Sequence, residues 1–151
     1  MKVTRLLSGV LIATCVLSMS DQAAAGSQSS VVGDWYGQGE PFDKNMAYLD
    51  HFRADGTVVT EVEICKGKTA MHGKDSGTWT ASKDAMRVVT TVSDGAATHF
   101  QTDYEIMSND GKTWSYRIVA AEPEQPSILG YVFTAKRVSP DFRLPGCLQI
   151  S

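Results

Sequence analysis

The chain of 151 residues is 42% hydrophobic and 21% charged, the size and composition of one soluble globular domain, which excludes a disordered chain and a multi-domain enzyme. Lysine and arginine total 14 against 17 acidic residues, and no basic run occurs that could follow a phosphate backbone. Nucleic acid is therefore not an expected partner.

At the N-terminus Lys2 and Arg5 precede an apolar stretch, Leu6 to Met19, followed by the small residues Ala23, Ala24 and Ala25. The pattern predicts a secretory signal over residues 1–25, cut after Ala25. A membrane anchor is the alternative, but the stretch is interrupted by Ser8, Gly9, Thr14 and Ser18 and falls short of the roughly 20 residues that cross a bilayer. No membrane span is expected once the signal is gone. Cleavage before Cys15, as in a lipoprotein, would put Thr14 where a glycine, alanine or serine is usual. The expected location is periplasmic or secreted, and residues 26–30 read as a flexible polar leader.

Cys15 departs with the signal, leaving Cys65 and Cys147 as an even pair bound for an oxidising compartment. A disulfide between them is expected, and the chain-entropy model values the closed loop at roughly 4 to 5 kcal/mol. No metal site is expected, since His51, His72 and His99 all lie away from either cysteine in sequence, and no cofactor motif is found.

From Val31 onward short alternating runs are separated by glycine-containing turns, with no helical periodicity beyond two turns. Eight strands are expected, over 31–39, 46–53, 57–65, 77–81, 86–93, 98–107, 113–120 and 130–138. If Ala54-Asp55-Gly56 is a three-residue loop, Phe52 falls opposite Val58, Tyr48 opposite Val62 and Met46 opposite Ile64. The same loop type at Asn109-Asp110-Gly111 would pair Ile106 with Trp114, Tyr104 with Tyr116 and Thr102 with Ile118. A four-residue turn from Ser82 to Ala85 matches Trp79 to Val88. Tight turns then close one end, while 40–45, 66–76, 94–97 and 121–129 ring a mouth at the other. The expected fold is all-β, an eight-stranded antiparallel up-and-down barrel over 31–138 followed by a tail over 139–151 tied back by the disulfide; a β-sandwich is the alternative.

Gly33-Asp34-Trp35 on the first strand, eight strands, Lys136-Arg137 closing the last one and a C-terminal cysteine reaching back to mid-barrel together resemble the lipocalins and the wider calycin group. The resemblance covers most of the mature chain. It implies that Trp35 caps the closed end with Arg137 stacked over it. Two departures stand out: the first long connection is short, and the tail after Val138 carries Pro140 and Pro145 where that family has a helix.

Register places Tyr48, Phe52, Phe100, Tyr104, Trp114, Tyr116, Tyr131 and Phe133 on the inner face, where they either fill the barrel or line a cavity. The ligand-binding set drawn from them is Tyr48, Phe100, Tyr104, Trp114, Tyr116 and Phe133, joined by Asp50, which the same register points inward opposite Thr60. A carboxylate there must be paired or protonated, as a structural partner of a tyrosine or arginine or as an anchor for a ligand. His51 and His99 fall on the outer face, and His72 falls in the 66–76 connection among lysines. Three function classes follow. A carrier of a small hydrophobic or amphipathic ligand comes first, a module that binds an envelope protein through the mouth loops second, and an enzyme using Asp50 third, with no catalytic residue assigned.

Overall fold

The computed structural model describes residues 30–39 and 44–147 of the chain. The expected signal, residues 26–29 of the leader, residues 40–43 and residues 148–151 of the tail lie outside the described residues. Eight strands follow in chain order: β1 (Gly33–Gln38), β2 (Met46–Phe52), β3 (Thr57–Lys66), β4 (Thr69–Ala81), β5 (Ala85–Ser93), β6 (Ala96–Asn109), β7 (Thr113–Glu122) and β8 (Val132–Val138). Each pairs antiparallel with the next, and β8 returns to pair with β1, setting Trp35 opposite Arg137. The barrel is closed, so the sandwich alternative falls. Among the described residues no helix is long and apolar enough to cross a membrane.

The β2–β3 hairpin turns as its sequence requires. Gly56 adopts φ +83, a left-handed conformation that a Cβ would disfavour, and Asp55 accepts from the Thr57 amide at 2.9 Å and its hydroxyl at 2.7 Å. Register then runs from Phe52 opposite Val58 to Met46 opposite Ile64, as expected. The Ser82–Ala85 turn likewise sets Trp79 opposite Val88.

The β6–β7 hairpin departs from expectation. Its loop is Asp110-Gly111-Lys112, and Asn109 remains in β6 opposite Trp114. Asp110 caps the loop by accepting from the amides of Lys112 and Thr113, while the Asn109 side chain donates to the Ser30 carbonyl. A bulge between Ile106 and Ser108 takes up the offset and turns Met107 outward. Tyr104 therefore pairs with Ile118 and Ile106 with Tyr116, and the parity of the face survives although the partners change.

Two of the four expected mouth loops are tight turns instead. β3 and β4 are joined through Gly67 and Lys68, so residues 69–76 are strand, and β5 and β6 are joined by Asp94-Gly95, both at positive φ. That dipeptide is the residue pair a two-residue hairpin of this hand demands. The connection after β7 carries a 3-10 turn, η1 (Pro126–Ile128), and is the long fold over the mouth.

The tail crosses the outside of the wall. Phe142 lies 5.0 Å from the Tyr36 ring, Leu144 reaches a hollow bounded by Glu61, His72 and Lys74, and Cys147 is bonded to Cys65. Leu49 points outward yet is 1% exposed, and register sets it between Tyr36 and Glu61, under that path.

Candidate functional site

The barrel interior divides by height. At the closed end Val31, Trp35, Phe52, Trp79 and Trp114 form a solid plug, the rings meeting edge to face at centroid distances of 5.2 to 5.4 Å. The Arg137 guanidinium sits 4.3 Å above the Trp35 ring. It donates to the carbonyls of Gly111 at 2.6 Å, Val32 at 2.8 Å and Ser30 at 3.0 Å, which ties the end of the expected leader to the barrel. Gly33 makes this clasp feasible: its φ is +144, and a Cβ there would lie 2.1 Å from an Arg137 nitrogen. The glycine-x-tryptophan pairing thus has a steric cause.

Above the plug lies a cavity of ≈ 580 Å³, open at the mouth and within the range of small-molecule sites. Tyr48, Asp50, Phe100, Tyr104, Tyr116 and Phe133, six of the seven expected ligand-binding residues, line it. Tyr48 can lie across the inner wall because its cross-strand partner is Gly37, where a Cβ would sit 2.1 Å from the tyrosine ring. Tyr116 and Phe133 stack at 5.2 Å, and Tyr104 meets Tyr116 edge on at 5.3 Å.

Trp114 is the exception. It is 0% exposed, lies in the plug 4.4 Å below the Tyr116 ring and does not line the cavity. Strand alternation assigns it to the inner face correctly, but it stands too near the closed end to meet a ligand.

Asp50 is 7% exposed and accepts from the Thr60 hydroxyl at 2.6 Å. Burial pushes its carboxyl up to about 6, against the opposing effect of hydrogen bonds from Thr60 and Tyr116 and the nearby His51. Burial also drives the Tyr116 phenol well above its usual range, reinforced by Tyr48 and Asp50, and its hydroxyl lies 3.5 Å from that of Tyr48. A second carboxylate, Asp75, lines the same cavity. The sequence does not reveal it, because residues 66–76 have the pattern of a loop. The inward positions of β4 above Trp79 are Gly77, Asp75 and Gly73, and their lack of apolar alternation hides the strand.

On the outer face His51 is not simply solvated. Its Nδ1 lies 2.6 Å from Asp34, which also accepts from Arg53 at 2.9 Å. Asp34 is 5% exposed; burial alone would raise its carboxyl, but the hydrogen bonds and charges of His51 and Arg53 prevail and hold it below the ordinary value. His72 meets Glu63 at 3.6 Å through β3–β4 pairing. Among the described residues Glu63, Cys65 and Cys147 bring ligand atoms of metal-binding type within 4.8 Å of one another. The disulfide occupies both sulfurs, leaving Glu63 alone as a ligand in this state.

Comparison of the chain with protein-family models, with curated proteins and with solved structures finds no match.

Proposed function

We propose that this is an exported, lipocalin-like barrel that holds one small apolar or amphipathic molecule in its open half, in the periplasm or outside the cell. The observation that carries the reading is a ligand-sized cavity of ≈ 580 Å³, lined by aromatic rings and a few convergent polar groups, in a barrel whose other half is packed solid. The Cys65–Cys147 bond suits an oxidising, exported location, and the Arg137 clasp over Trp35 supports the lipocalin-like label. The alternative of a protein-binding mouth has less to work with, because two of its four loops are two-residue turns.

Titration with N-phenyl-1-naphthylamine, a neutral probe that brightens in apolar surroundings, tests the proposal. Saturable binding of one probe per chain is expected, abolished by Val88→Trp, which fills the cavity, in a variant whose circular dichroism is unchanged. Binding that is not saturable, or that persists with the cavity filled, overturns it.

A further inference from the structure

The two carboxylates that line the cavity lie in one row of its wall. Cross-strand register sets Asp50 opposite Thr60, Thr60 opposite Asp75 and Asp75 opposite Ser93, a lateral row crossing β2, β3, β4 and β5. On one side the row abuts Trp35 of the plug, the partner of Asp50 across β1; on the other it ends beside the Asp94-Gly95 turn at the mouth. Because barrel strands tilt, a lateral row climbs the wall, so Asp50 is the deep carboxylate and Asp75 the outer one, two strand spacings or roughly 10 Å apart along the backbone. The remaining wall is aromatic and aliphatic apart from the uncharged Thr90, Thr98, Thr102 and Gln125, and among the described residues no lysine, arginine or histidine lines the cavity.

A deep space open at one end, with two carboxylates, no cation and low-dielectric walls, focuses a negative potential. The rings of Tyr48, Phe100, Tyr104, Tyr116 and Phe133 add π faces that attract positive charge. Asp50 receives hydrogen bonds from Thr60 and Tyr116, and a carboxylate has more acceptor sites than two, so it retains capacity for a further donor.

Resting on the reading that the cavity holds a ligand, we infer that the ligand is an organic cation, an amine or quaternary ammonium on an apolar body, drawn past Asp75 and seated against Asp50. A fatty acid or other anionic amphiphile of equal length is disfavoured by the same field. Asp50 answers to Tyr48 on its own strand, Thr60 on β3, Asp75 across Thr60, Tyr116 on β7 and His51 through the wall. Protonation of Asp50 as the pH falls below about 6 removes the deep charge and weakens the cation's hold.

The test displaces bound N-phenyl-1-naphthylamine with decylamine, decanol and decanoate at neutral pH. Decylamine is expected to compete about tenfold better than decanol, with decanoate the weakest of the three. The preference fades in mildly acidic buffer, and in Asp50→Asn combined with Asp75→Asn decylamine competes no better than decanol measured on the same variant. If decanol or decanoate competes as well as decylamine, the charge inference is overturned while the cavity reading stands. If none of the three displaces the probe, the cavity reading fails and the inference falls with it.

Discussion

At the closed end Trp35, Phe52, Trp79 and Trp114 interlock, with a clasped arginine over Trp35, whereas the same strands nearer the mouth carry Tyr48, Asp50, Asp75 and Tyr116 around a cavity. Two buried aspartates on adjoining strands show the same division through the thickness of the wall. Asp34, outside, has both His51 and Arg53 and is held low; Asp50, inside, has only hydroxyl partners and is pushed up to about 6. The outcomes are opposite because Asp50 lies deeper and is more fully desolvated, while Asp34 has charged partners that outweigh its smaller burial. One end of the molecule is built for stability, and the other carries a group that burdens it.

The hardest test of that division is Trp114→Ala. It should destabilise the fold by about 3 to 5 kcal/mol, the range for truncating a buried aromatic, whereas Phe100→Ala at the cavity wall should lose about 1 kcal/mol or less because its ring is only half-buried. Urea denaturation of the two variants measures this, and equal losses would erase the distinction between the ends.

Asp50→Asn should act in the opposite sense. A folded-state value near 6 means that the native protein keeps a proton the unfolded chain has already lost, so stability falls as the pH rises from about 4 to 6 and stays reduced above it. Removing the charge should recover as much as about 3 kcal/mol at neutral pH and almost nothing in acid. A urea midpoint that shows no such gain with rising pH would mean that Asp50 is ordinarily ionised in its pocket.

Asp34→Asn gives the mirror image on a smaller scale. With its folded value lowered, the contribution of Asp34 is complete above the unfolded value of about 4 and is lost as the pH falls through the lowered one. The variant should lose about 1 to 3 kcal/mol at neutral pH and converge on the parent in strong acid. Matching stability curves across the whole pH range would remove the contrast between the two sides of the wall.

Much of the fold was legible because a hairpin loop fixes the parity of everything that follows it. Ala54-Asp55-Gly56 set the β2–β3 register, and with it the inward direction of Asp50 and its partner Thr60. Parity also survived the misread loop at Asn109, since the bulge at Met107 restored the face. Height along the barrel axis is not legible, which is why the sequence does not separate Trp114 in the plug from the rings of the cavity: alternation specifies a side of the sheet, and height depends on tilt and on where the neighbouring strands end. Asp75 escaped notice for a related reason. A strand that faces a cavity need not be apolar, so β4 with Gly73, Asp75 and Gly77 on its inner side has the sequence of a loop; the Asp94-Gly95 pair was the signal available for extending its neighbours. Asp34 and His51 required the β1–β2 register, which spans a connection with no readable turn motif.

The tail disulfide has a mechanical consequence. In a barrel wound in sequence order every junction between neighbouring strands is backed by a connecting segment of chain, except the seam where β1 meets β8, held by a ladder that runs only from Asp34–Val138 to Gly37–Ala135. Leaving β8, the chain passes over Tyr36 and is riveted at Cys65 on β3. The rivet closes a covalent hoop across the one joint that lacks a loop, so the first and last staves of the barrel can part no further than the reach of the tail while it holds.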